Sequence, residues 1–241
     1  MKKGKIIAII IAIVAVLATV TILLIMGAKS VVADIEQEEL IKKELNEING
    51  MSNAENMDKE ALDKKINNIA TTGDYAIVEK ALKTYIYDVY IDTTKLSELL
   101  TDKKLEDIMT TNNYKNDGPD FIETKEYLTN EKNQIKEYKD IVYGYFEEEK
   151  IMSYINDKGL DSYYIDLYKQ LALEDREQLE QEDKNKIDES IDLIYNIIDV
   201  GNETIDFLIQ NKGKWEVQGE EIAFETDELS TQYTNIINKL N

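Results

Sequence analysis

Histidine and cysteine are missing from this sequence altogether, and each absence removes a block of chemistry. Zinc sites of the common kinds draw on Cys or His. A Ser-His-Asp triad and a His-activated Cys nucleophile both need one of the two, and haem ligation by either is closed as well. Without Cys there are no disulfides and no lipid-modified cysteine, so a folded domain must rest on packing alone. Proline occurs once, at Pro119, and arginine once, at Arg176. The stretch nearest to a phosphate loop, "GKWEVQG", lacks both the spacing and the closing Lys-Ser/Thr pair. The segment "DKNKIDESIDLI" begins with acceptors at Asp183 and Asn185. It then puts Asp188 where a calcium loop turns on Gly, and Ile194 where that loop needs a bidentate Glu. No residue is therefore assigned as catalytic, cofactor-binding or metal-ligating, and no cofactor is expected.

Positive charge is also scarce, with 28 Lys and Arg against 49 Asp and Glu, for a net charge of -21. Setting aside the three leading lysines takes -21 to -24 for the remainder. Nucleic acid and anionic headgroups carry the same sign, so nucleic-acid binding is excluded as a function class. Paired carboxylates leave a glycoside-type hydrolase as a third-ranked reading, but among 49 acids no pair stands out. Enzymatic activity is not expected.

What is present begins with a long apolar run. Residues 6–26 contain no charge, proline or glycine, and in a helix they reach roughly 30 Å, the thickness of a bilayer's hydrocarbon core. Lys2, Lys3 and Lys5 precede the run, which favours keeping that end in the cytoplasm and the remainder outside. A cleaved signal peptide has the same basic start but a shorter apolar stretch. The expected organisation is a basic cytoplasmic tail over residues 1–5, a transmembrane anchor over 6–26, a juxtamembrane stalk over 27–50 and an acidic ectodomain over 51–241. The expected location is a single-pass cell-membrane protein with its C-terminal domain extracytoplasmic. Abundant Asn, Ile, Lys and Tyr suit an AT-rich genome. The plan resembles that of the small, N-terminally anchored, helix-rich surface proteins of low-GC Gram-positive bacteria; that resemblance implies no activity.

Beyond the run, apolar residues recur at spacings of three and four, which predicts a mainly α ectodomain, a helical bundle. One stripe runs from Val32 to Ile48 and stops at Gly50; a second runs from Met57 to Ile69. "TTGD" separates the second from a third, which spans Tyr75 to Leu100 and takes its cap from Thr72 or Asp74. "TTNNYKNDGPDF" reads as the clearest break, and the bundle is expected to continue through it. A long helix should then run from Phe121, with Ile141 facing inward, to Gly159. The next charged and apolar stretch should stop at Gly201, with Asn202-Glu203-Thr204 as a cap. Alternation at Trp215, Val217, Ile222 and Phe224 around Gly219 predicts a β-hairpin at about residues 214–225.

Fifteen tyrosines remain to be placed. Tyrosine joins an apolar ring to a polar tip and suits both a core that meets water and a binding surface. Tyr87, Tyr90, Tyr143 and Tyr163 are the candidate contacts for a ligand or partner. The first functional reading is an interaction or scaffold domain of the cell envelope, held in the membrane by residues 6–26 and binding a protein partner there. The alternative is a binding module for a wall glycan or small ligand, gripped by these exposed tyrosines.

Overall fold

The computed structural model describes residues 35–52, 59–173 and 176–240. The run over residues 6–26, expected as an anchor, lies outside the described residues. Among the described residues no helix is long and apolar enough to cross a membrane. The rest is mainly helical, as the periodicity predicts. In chain order the elements are α1 (Ile35–Ser52), α2 (Lys59–Asn67), α3 (Gly73–Leu100), α4 (Lys104–Asp107), α5 (Thr111–Asn116), α6 (Ile122–Gly144), α7 (Glu148–Met152) and α8 (Ser162–Leu173). They continue with α9 (Arg176–Gln210), β1 (Trp215–Gln218), β2 (Glu221–Phe224), α10 (Asp227–Ile237) and a closing 3₁₀ turn, Asn238–Leu240.

The chain divides into two compact units. Among the described residues the first comprises 35–96 and 138–187, and the second 97–137 and 188–240. The boundaries fall inside α3, α6 and α9.

In the first unit, α1 contributes Ile41, Leu45 and Ile48 to the core, and α2 contributes Leu62 and Ile66. From α3 come Val78, Leu82, Tyr85 and Val89, and from α8 Leu167, Tyr168 and Leu171. Apart from the adjacent Leu167 and Tyr168, these positions step by three or four, so each helix turns one continuous stripe inward. The ends of α2 are matched to its dipole: it opens with Glu60 and closes with Lys64 and Lys65.

The second unit holds an aromatic cluster. Tyr114, Phe121, Ile205 and Leu208 are buried there, with Trp215, Val217, Ile222, Phe224 and Tyr233 packed on them. The hairpin pairs Trp215 with Phe224 and Val217 with Ile222. Gly219 makes its turn at a φ of 66°, a conformation that costs a glycine little. The hairpin is fastened to α9 by Trp215 Nε1, which donates to the Leu208 carbonyl at 2.8 Å. Two strands alone are marginal in water, and this docking supplies the missing burial.

Several sequence expectations are corrected. The Asn-rich stretch before Pro119 is not an open loop but holds α5, whose first turn is capped by Thr110 accepting from the Asn113 N–H at 3.3 Å. The long helix after Phe121 does not reach Gly159. It ends at Gly144, where Tyr145, Phe146 and Glu147 donate back three residues instead of four, and this tightening buries Tyr145 and Phe146 side by side. Ile141 faces solvent at 36 % exposure. Gly201 does not stop α9, which runs on to Gln210. The glycine is there for space: a Cβ would sit 3.3 Å from Ile108 Cγ2 and 3.7 Å from Leu128 Cδ1. Asn202 is accordingly no cap, and Thr204 lies mid-helix with its hydroxyl donating to the Val200 carbonyl at 2.7 Å.

Candidate functional site

The first unit carries charge in its interior. Lys83 and Glu79 are both fully buried on α3, and Glu44 of α1 is 7 % exposed. Lys83 Nζ lies 2.6 Å from Glu44 Oε2 and 2.7 Å from Glu79 Oε1, and it donates to the Asn68 carbonyl at 2.6 Å. Lys65 of α2 meets the other Glu44 oxygen at 2.7 Å. Glu79 also accepts from the Thr71 N–H at 2.8 Å, from its hydroxyl at 2.7 Å and from the Ala70 N–H at 3.0 Å. Burial works to raise both carboxyls. For Glu79 the bonds from Lys83, Thr71 and the two backbone N–H groups outweigh it, and for Glu44 those from Lys65 and Lys83 do, so both stay below the ordinary value. A buried charge this well satisfied is held in place. Here it fixes residues 68–71 against α3.

That fixed segment forms one wall of a cavity of about 920 Å³ within the first unit. Ile69 and Thr71 come from it. Ala76, Lys80, Thr84 and Asp88 stand four apart along one face of α3, with Ile77 and Ala81 beside them. Lys150 of α7 and Ser153, Tyr154 and Lys158 after it complete the lining. The small side chains at Ala76, Ala81 and Thr84 leave the space that larger residues would fill.

The hydroxyls of the cavity are already engaged. Thr71 donates to Glu79, Thr84 to the Lys80 carbonyl at 2.8 Å, and Ser153 to the Lys150 carbonyl at 2.5 Å. Tyr154 donates to Asp88 Oδ2 at 2.8 Å; burial first, then this bond, raises its hydroxyl well above the ordinary range and keeps it a neutral donor. Neighbouring Tyr145, beneath the same helix, is raised by burial and by its bond to Asp92 at 2.6 Å. The cations differ. Among the described residues, none of the Lys80, Lys150 and Lys158 ammonium groups has an ion-pair partner. Lys150 lies over the Tyr154 ring at 5.6 Å and the Tyr145 ring at 5.4 Å. Three lysines thus face one aspartate at a single opening of a strongly acidic chain.

The four tyrosines expected as contacts all fall in the first unit, half-buried, and none lines this cavity. A hydrogen bond with Asp63, then burial, raises the Tyr87 hydroxyl. Tyr90 packs against the core. Tyr143 donates to the Lys184 carbonyl at 3.0 Å, with the Lys139 and Lys184 ammonium groups over its ring. Tyr163 donates to Glu38 and lies 3.3 Å from the Tyr75 hydroxyl. Tyr154, which does reach the cavity, carried no mark in the sequence that set it apart from the other tyrosines. The spacing of four at Ala76, Lys80 and Thr84 is visible in the sequence, but it marks only one helix face and not the cavity that α7 completes.

The second unit has a smaller opening of about 640 Å³, lined by α5, the hairpin and α10. Tyr114 and Tyr233 meet there, their hydroxyls 3.0 Å apart. Among the described residues no group of three or more Asp and Glu is arranged to hold a metal ion. Comparison of the chain with protein-family models, with curated proteins and with solved structures finds no match.

Proposed function

We propose that this protein is a membrane-anchored, extracytoplasmic binding module that acts without catalysis and takes its ligand in the first-unit cavity. The cavity carries the reading: about 920 Å³ is the size of a small-molecule site, and its lining joins apolar side chains at Ile69, Ala76, Ile77 and Ala81 to polar and charged ones from α3 and the α7 region. Its hydroxyls are bonded within the protein, which suits binding better than nucleophilic attack. The tether comes from the uncharged run over residues 6–26 with lysines before it. A seat on a tethered domain serves a ligand met at the cell surface.

The test is thermal unfolding of the full chain in lipid nanodiscs against a panel of wall saccharides, nucleotides and short carboxylates. At least one compound is expected to raise the unfolding temperature, and Ala76→Phe, which fills the cavity, is expected to abolish the rise. No rise with any compound, or a rise that persists in Ala76→Phe, would overturn the reading.

A further inference from the structure

We infer that the first-unit cavity selects organic oxyanions: a flat or compact apolar body ending in a carboxylate or phosphate. This inference rests on the cavity being the ligand seat and adds the chemical class. The chain carries 49 acids against 28 bases. Lys80, Lys150 and Lys158 nonetheless reach the opening with no carboxylate partner among the described residues. They come from two separate parts of the sequence, so their meeting is a product of the fold. The single acid at the opening, Asp88, is occupied by the Tyr154 hydroxyl at 2.8 Å. Lys150 is held over the Tyr154 ring at 5.6 Å, a contact that places its charge without neutralising it. Ile69, Ile77 and Ala81 supply apolar lining to the same cavity. A ligand that satisfies both has an apolar body for that lining and a negative end for the lysines. Lysine ammonium groups act as point charges, so carboxylate and phosphate are served alike. The net negative charge of the chain repels extended polyanions and leaves small organic oxyanions as the class that enters.

The test uses a matched pair of probes, 2-naphthoate and its neutral isostere 2-naphthamide, titrated calorimetrically into the full chain in neutral-lipid nanodiscs. Naphthoate is expected to bind more tightly by about tenfold, a preference that shrinks as salt shortens the Debye length below about 8 Å. Lys80→Gln, Lys150→Gln and Lys158→Gln together are expected to remove that tenfold preference while leaving naphthamide within about twofold. These side chains are exposed, and an unchanged circular-dichroism spectrum confirms that the variant is folded. Equal binding of the two probes, both lost in Ala76→Phe, would overturn the anion preference and leave the seat. Binding of neither probe, or of both unaffected by Ala76→Phe, would overturn the seat as well. Discs containing phosphatidylglycerol then separate the sources: competition with naphthoate identifies a headgroup phosphate, and undiminished binding identifies a soluble anion.

Discussion

Lys83 and Lys64 show how differently one residue pattern is used. Each lysine follows a glutamate by four positions, Glu79 and Glu60, and the sequence presents two equivalent surface pairs. The pair of Glu60 and Lys64 is indeed at the surface, at 80 % and 75 % side-chain exposure, whereas that of Glu79 and Lys83 has 0 % and 1 %. Removing one partner of the buried pair strands the other charge. Lys83→Met is therefore expected to cost about 3–5 kcal/mol in denaturant unfolding, while Lys64→Met leaves the midpoint unchanged. The same groups set the acid limit. Glu44 and Glu79 have folded-state values below their ordinary 4.5, so the unfolded chain takes up protons first. Their stabilisation is complete above about pH 4.5 and is lost as pH falls through the depressed folded values. Tyr114 acts at the other end: burial, then Tyr233, raises it above its ordinary 10.0. Its contribution is full below about pH 10 and is lost as pH rises beyond that. Equilibrium unfolding followed from pH 2 to 11 is expected to show a plateau bounded by these two declines.

Two glycines in helices serve opposite ends: Gly144 closes α6, and Gly201 lies inside α9. A Cβ at Gly201 would press on Ile108 and Leu128, whereas one at Gly144 would meet nothing within 4 Å. Gly201→Leu is expected to destabilise by about 1–3 kcal/mol through overpacking. Gly144→Ala is expected to add a few tenths, up to about 1 kcal/mol, of helix propensity. Thermal melts of the two variants, moving in opposite directions, check both. The sequence reads the two the other way round, with Gly144 inside a helix running to Gly159 and Gly201 as a stop. Periodicity recovers the helices and the alternation recovers the hairpin, since both follow from which face a residue turns inward. It does not reveal whether a glycine ends a helix or lets a neighbour approach, because that depends on Ile108, more than ninety residues away in the chain. The cavity was hidden for the same reason. Lys80 and Lys150 are neighbours only after α3 and α7 pack into one unit. The tyrosines were visible as a class, yet which of them reaches the opening depends on where the turn after α7 places Tyr154.

At the scale of the whole molecule, tether and orientation belong to the proposed function. The absence of cysteine gives a clean test: Ser162→Cys, at an exposed position opening α8, would be the sole thiol in the chain. A membrane-impermeant maleimide is expected to label it in intact cells, and labelling only after lysis would reverse the orientation. The lone tryptophan offers a further handle. Trp215 is stacked on Phe121 with ring centroids 6.0 Å apart, and both belong to the second unit. Indole emission therefore watches that unit by itself, while the far-ultraviolet signal sums over every helix in the protein. Followed together through one denaturant titration, the two signals ask whether the units come apart as one cooperative block or in sequence. Helices α3, α6 and α9 each contribute residues to both units, so melting either unit breaks hydrogen-bond ladders that continue into the other. Superimposable curves are the expected result, and a native chain carries the reporter for it without a single added label.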